Sequence, residues 1–410
     1  MTTEKWLDNS MFSLLCLVVV ALPTLEAPKS LALGLVSLVW LVRRLIFKPF
    51  WLRRPDEVEF ALIWLLLAAA ISTALNWPSV GQLKGLKDTL FGVAACWIIY
   101  HSDLSAHRRH LLAVMVTIGV MIGLVWAGVD VFRGARPFFE FHSAGVVTQS
   151  SIYLGVALIM SFGIAFTGGL RSAGLPENRW QRSLWWVATA LMLIGLFVMA
   201  SRGAILAVAV VCFLIVLLNW NPRVWLGSLI AFAIAASVAL MLPGKFNSSR
   251  FVEKTQQLAQ TGKIDQNDGL RFDMWRIGTT QFVQGGSPVF GIGPRNFRAI
   301  DLSRLEFSPP LTTEFQRLNH AHNLFITKLV EEGIFGLVAL LFLFGLVGVS
   351  LFRDWRAGNW LNWQWFGALG AVAIPSIAGS FNTPWIQEHA LLSMILFGLY
   401  FSSRNVRRTG

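Results

Sequence analysis

Charge is scarce in this sequence: 14% of its 410 residues are Asp, Glu, Lys or Arg, where ordinary soluble domains carry about 25%. The shortage is concentrated in runs, and segments 111–129, 183–199, 204–218 and 334–351 contain almost no charge. Each approaches the roughly 20 apolar residues needed to cross a bilayer. A soluble globular chain is thereby excluded. Cysteine is equally sparse. Cys16, Cys96 and Cys212 all fall in apolar segments without metal-ligand spacing, which leaves them as small packing residues and rules out a disulfide framework. The alternating pattern of a membrane barrel is missing too, so helices are the remaining way to satisfy backbone polar groups in lipid. No small-residue cleavage site follows the first apolar stretch after Lys5, so that stretch is expected to be retained as a span. No internal repeat is present.

What is there reads as an all-α polytopic membrane protein with about 12 transmembrane helices. The expected spans are 11–27, 31–47, 58–77, 85–101, 111–132, 150–168, 183–200, 203–220, 223–243, 324–352, 361–379 and 384–403. The formal net charge of +12 does not indicate nucleic acid, because its placement follows alternate connections. Arg43, Arg44, Lys48, Arg53 and Arg54 lie in the second connection, and Arg108 and Arg109 in the fourth. Arg171, Arg179 and Arg182 follow in the sixth, Arg223 in the eighth, and Arg353 and Arg356 in the tenth. Arg404, Arg407 and Arg408 close the chain. The positive-inside rule then puts both termini in the cytoplasm and the long polar loop outside.

That loop divides the chain into a membrane part over 1–244, a loop domain over 245–321 and a second membrane part over 322–410. Ser248 or Asn247 is suited to cap a helix running to about Gln260, and a turn-rich stretch follows over 261–269. A second helix is expected over 270–283, where Leu270, Met274, Ile277 and Gln281 share a face, and Gly285-Gly286 stops it. Pro309-Pro310 breaks the chain again before it returns to the membrane. A loop of this length is commonly functional.

Three polar elements fall on the expected outer side. Ser201-Arg202-Gly203-Ala204 forms a very short turn between two apolar runs. An arginine there is costly unless it reaches water or an anion, although by itself it also reads as one snorkelling to headgroups. Arg271, with Trp275 one turn later, lies in the loop, where the plain reading is a solvated helix face. Asn319-His320-Ala321-His322-Asn323 stands where the loop rejoins the membrane. Two histidines around one alanine make no metal signature, but imidazole is suited to take a proton near neutral pH. Two guanidiniums can hold a diphosphate bidentately and neutralise charge on a leaving group, while a histidine accepts the proton of an attacking hydroxyl.

With these elements the chain resembles the bacterial O-antigen ligases, within the wider O-antigen ligase/polymerase superfamily, in span count and in loop position before the last three spans. The motif carrying the resemblance is His322-Asn323, nine intervening residues, then Gly333 and Gly336. Arg202 with Leu206 resembles the family's Arg-x-x-x-Leu, and Arg271…Trp275…Pro288-Val-Phe-Gly-Ile-Gly-Pro294 resembles its loop segment.

The resemblance implies a GT-C-like fold and an inverting, metal-independent glycosyltransferase without cofactor. No Asp-x-Asp stands on an outer segment, in agreement. It further implies transfer of a glycan from undecaprenyl diphosphate to lipid A–core, on the periplasmic face of a Gram-negative inner membrane. The partners are the donor, the acceptor and membrane lipids, with no nucleic acid. His322 would activate or orient the acceptor, and Arg202 and Arg271 would bind the diphosphate. His320, Asn323, Trp275, Arg276 and Arg295 are further substrate-binding candidates. Lys84 and Lys87 read first as ordinary interface residues and second as cations that attract the diphosphate. Gly291 and Gly293 are expected to shape a turn. The competing readings are an O-antigen polymerase or a protein O-oligosaccharyltransferase using the same donor, and a lipid-linked oligosaccharide flippase. A transporter usually shows repeated halves and charges near mid-membrane, whereas Glu331, Glu332 and Glu388 fall near span ends.

Overall fold

Several helices begin where the sequence carries a cap. Asp56 accepts from the backbone N–H groups of Val58 and Glu59 at 3.0 and 2.9 Å, and Glu59 reaches back to the Asp56 N–H at 2.7 Å. This reciprocal box satisfies donors that a helix start otherwise leaves open. Asn178 and Gln181 repeat it, and Ser105, Asn323 and Asn362 cap three further helices. The computed structural model describes residues 2–47, 55–77, 80–143, 147–169, 177–219, 226, 230, 233–235, 237, 241, 266–311, 318, 320–381, 385 and 387–409.

Among the described residues there are twelve α-helices with defined bounds and no strand. In chain order they are α1 (Thr3–Ala21), α2 (Glu26–Phe47), α3 (Glu57–Leu75), α4 (Val80–Tyr100), α5 (Ala106–Phe132) and α6 (Val147–Thr167). Next come α7 (Arg179–Val198), α8 (Arg202–Asn219), α9 (Gln266–Gln284) in the polar loop, α10 (Leu324–Arg356), α11 (Trp363–Gly379) and α12 (Gln387–Thr409). The loop helix expected over 270–283 is α9. The expected span 223–243 and the expected capped helix ending at Gln260 lie mostly or wholly outside the described residues. One boundary moves substantially: α1 occupies 3–21 and not 11–27. Thr2 caps it at the Lys5 N–H, and Pro23, which lacks an N–H, falls just beyond its end.

By length and composition, α2, α3, α5, α6, α7 and α10 are able to cross a membrane, and α8 is a shorter apolar helix. The chain is therefore a multi-pass membrane protein whose regular structure, among the described residues, is all helical. α6 sits at the centre, with Ile152 to Met160 buried on every side, as expected of a helix that is apolar all round. Small residues allow its neighbours to approach: a Cβ at Gly163 would lie 2.4 Å from the Cβ of Phe366 on α11.

The helix ends sort into two groups. At one end Arg43 of α2 meets Asp8 of α1 at 2.5 Å, and Tyr100 of α4 donates to Asp56, the α3 cap, at 2.6 Å. Arg182 of α7 donates to Ala165 and Phe166 carbonyls of α6 at 2.9 and 2.8 Å. Arg404 of α12 meets Asp354 of α10 at 3.2 Å. The start of α1 and the later part of α12 share this basic end. At the other end Ser72 and Asn76 of α3 donate to the Glu331 and Gly291 carbonyls at 2.7 and 3.1 Å. The described part of the polar loop docks there.

Candidate functional site

The site is organised around a break in α10. Gly333 has φ +68 and ψ −169, a conformation open essentially to glycine alone. The break frees backbone groups, and a loop strap over 288–293 takes them up. Ile292 N–H donates to Val330 O at 3.0 Å and Gly293 N–H to Glu331 O at 2.9 Å. In return Ile334 N–H donates to Pro288 O at 2.9 Å and Phe335 N–H to Val289 O at 3.1 Å. The glycines that meet at this junction, Gly333 and Gly291, are packing requirements. A Cβ at Gly333 would stand 2.1 Å from the Val289 carbonyl oxygen, and one at Gly291 would stand 2.4 Å from the Glu331 carbonyl carbon. Glu331 accepts from the Phe297 N–H at 3.3 Å, and Glu332 pairs with Lys328 at 2.5 Å, so both acids brace this junction. Further along the loop, Asp301 is held below its ordinary carboxyl range, chiefly by the Ser303 hydroxyl and then its N–H.

Beneath the strap lies a small apolar core of Met274, Ile277, Phe297, Leu318, Ala321 and Val330. It explains the His-Ala-His sequence. Ala321 is fully buried in this core, which pins the chain between the two histidines. Their rings stand 4.4 Å apart between centroids. His322 itself has φ +50. Among the described residues the other non-glycine positions with positive φ are Ala200 and Arg295. Left-handed backbone at such residues costs on the order of 1–3 kcal/mol and tends to cluster at functional sites. Here one precedes Arg202 by two residues, one is a candidate cation and one is the candidate base.

Arg202 is the first residue of α8, and Arg271 and Trp275 lie on α9. The end of α11 links them. Asn323 donates from its amide nitrogen to Ser380 O, just past α11, at 2.8 Å. Trp275 contacts Phe381, the next residue, with ring centroids 6.4 Å apart. For Arg202 the link is a matter of level. A Cβ on Gly155 would lie 3.1 Å from Ile374 of α11 and 3.2 Å from Val208 of α8, so those two residues are at equal height. From each, six residues lead to Ser380 and to Arg202, a climb of roughly 9 Å at 1.5 Å per residue. Arg202, the α9 residues and His322 therefore gather at the loop end of the bundle. Two polar atoms there, Ser201 Oγ and Trp275 Nε1, are buried without a hydrogen-bond partner among the described residues.

Other candidates are engaged in scaffolding. The Asn323 side-chain oxygen accepts from Phe325 and Ile326 N–H groups at 2.9 and 3.0 Å, so both ends of its amide hold the start of α10 in place. It positions its neighbour His322. Arg276 donates to the carbonyls of Pro309 and Pro310 and pairs with Asp273 at 3.4 Å, tying α9 to the loop.

Lys84, Lys87 and Arg295 come together elsewhere, in a polar cavity of about 230 Å³ between α2, α4 and α12. Sequence reasoning misses three of the lining residues as ligand contacts: Lys29, Asp88 and Glu388. A lysine and an acid inside apolar helices are the signal that points to them. Lys29 and Glu388, 359 residues apart, form a buried ion pair.

The comparisons with known proteins bear on the same stretch. Residues 187–341, from within α7 to within α10, match the family model described as O-antigen ligase. The matched stretch contains Arg202, Arg271, His322, Gly333 and Gly336, and it supports the O-antigen ligase superfamily as the family of this chain. Compared with curated proteins, the chain has no match.

Proposed function

We propose, from the match of residues 187–341 to the O-antigen ligase family model, that this protein joins O-antigen glycan from undecaprenyl diphosphate to lipid A–core. The observation that carries this reading is the gathering of Arg202, the Arg271-bearing helix and His322 at the loop end, around strained backbone. In the proposed step a core hydroxyl oxygen attacks the anomeric carbon of the donor sugar, and its proton passes to the His322 imidazole. The bond from that carbon to the phosphate oxygen breaks, and undecaprenyl diphosphate leaves with the electron pair. Attack opposite the leaving group inverts the anomeric centre. Arg202 and Arg271 take up the developing charge through charge-assisted bonds. The basic end faces the cytoplasm in this reading, with both termini, and the loop end faces the periplasm of a Gram-negative inner membrane. The helices form about 12 spans of a GT-C-like fold.

Purified protein given undecaprenyl-diphosphate glycan and lipid A–core should form the glycan–core product, and a divalent-ion chelator should leave the rate unchanged. Absence of product overturns the ligase reading. A loss on chelation that added divalent ion restores overturns the metal-free assignment.

Arg202→Ala and Arg271→Ala should each weaken binding of undecaprenyl diphosphate by about 10–100-fold, the size of one lost charge-assisted contact. Lysine at either position should recover only part of the affinity, because an ammonium lacks the planar fork. Unchanged affinity in both alanine variants would remove the clamp from the mechanism.

A further inference from the structure

The cavity between α2, α4 and α12 is not part of the cluster around His322: among the described residues, none that lines it comes from α8, α9 or 320–323. Its cations are Lys29, Lys84, Lys87 and Arg295, and its acids are Glu26, Asp88 and Glu388. The inner charges are already matched. Lys29, 7% exposed, pairs with Glu388, 2% exposed, and lies 2.6 Å from Glu26, while Arg295 pairs with Asp88. Arg295 holds its place through left-handed backbone, and the preceding Pro294 presses so close to α4 that a Cβ at Gly85 would stand 2.5 Å from it. This wall is built rather than incidental.

Lys84 and Lys87 differ from the inner cations. Both are exposed and make no ion pair with a described residue, and the Lys87 ammonium stands 5.7 Å from the Phe91 ring centroid. The cavity thus has a balanced interior and a cationic rim. A bare diphosphate suits it poorly, because the interior cations Lys29 and Arg295 are already paired with carboxylates and leave no unmatched cation inside for a second phosphate. A sugar carrying one phosphate suits it well. Its hydroxyls can donate to carboxylates and its phosphate can accept from the ammonium groups. At about 230 Å³ the cavity is smaller than the roughly 300–1,000 Å³ of pockets that enclose whole drug-sized ligands, so it holds a single such group.

We propose that this cavity is an acceptor subsite, in which Lys84 and Lys87 hold a phosphate borne by a sugar of the membrane-anchored acceptor. The identity of the acceptor rests on the ligase reading above; the preference for a phosphorylated sugar rests on the cavity itself. The arrangement gives the enzyme separate anion sites for its two substrates, arginine for the donor and lysine for the acceptor.

The test uses the full chain in nanodiscs of neutral phosphatidylcholine. Affinity is measured for phosphorylated lipid A–core, for the same glycolipid after phosphatase treatment, and for undecaprenyl diphosphate. The double variant Lys84→Ala/Lys87→Ala should bind phosphorylated acceptor about 10-fold more weakly or worse, with binding of the dephosphorylated acceptor and the donor unchanged. Lys84→Arg/Lys87→Arg should restore the loss. In transfer assays the acceptor KM should rise while kcat is kept. A fall in donor affinity instead would assign the lysines to the diphosphate. Equal competition by phosphatidylglycerol would make the rim a headgroup site, and unchanged acceptor binding would end the proposal. If the protein binds phosphorylated acceptor through these lysines yet transfers no glycan, the ligase reading fails while the subsite stands.

Discussion

Cells carrying His322→Ala should accumulate full-length glycan on its lipid carrier while their lipopolysaccharide shows core alone, and purified variant should transfer about 10²–10⁴-fold more slowly. That range is the usual contribution of a positioned general base, about 3–5 kcal/mol of barrier. The backbone supplies a control for misfolding. Because His322 has φ +50, glycine there adopts the observed conformation without strain and alanine does not. His322→Gly should therefore keep or slightly raise thermal stability while remaining as inactive as His322→Ala. A His322→Gly protein with near-normal transfer would mean that the imidazole takes no part in the chemistry. The cellular phenotype also separates the competing functions. Chains shortened to one repeat would indicate a polymerase, and glycan held on the cytoplasmic leaflet would indicate a flippase.

The second large effect is expected from a backbone position, with no titrating side chain removed. Gly333→Ala places a Cβ 2.1 Å from the Val289 carbonyl oxygen at a backbone geometry that L side chains scarcely adopt. The conformation alone costs about 1–3 kcal/mol, and relieving the overlap also breaks the strap's hydrogen bonds, each worth roughly 1 kcal/mol. Transfer should fall by at least about 100-fold, since the strap and the apolar core beneath it anchor the segment leading to His322. Helix content should stay near that of the parent, whereas protease should cut the loop over 285–311 faster. Gly345 lies later in α10, and a methyl group there would meet nothing within 4 Å, so Gly345→Ala should be harmless. If Gly333→Ala matched Gly345→Ala in activity and in loop protection, the strap would have no role in holding the site.

Part of the site is legible in the sequence. Arg202 and His322 stand at or beside helix starts, where a polar residue meets an apolar run, and that signal is local. Asn323 is legible in a different sense. An asparagine directly before an apolar helix is a cap by position, and the cap accounts for the oxygen of its amide while Ser380 takes the nitrogen. Arg276 and Arg295 illustrate the limit. Both are arginines in a polar loop, yet one ties proline carbonyls and the other pairs with Asp88, more than 200 residues earlier in the chain.

The sequence by itself determined the helical, multi-pass architecture, the gathering of basic connections at one end and the interruption by one polar loop. These follow from hydrophobic length, caps and charge placement, which are properties of adjacent residues. Only the tertiary structure decided that α10 breaks at Gly333 to receive the strap, that Ala321 is the anchor between two histidines, and that Lys29 and Glu388 complete a polar cavity between α2, α4 and α12. Each of those depends on groups distant in the chain meeting at one point. Hydrogen-bond satisfaction and close packing select such meetings, and neither leaves a periodic trace in the sequence.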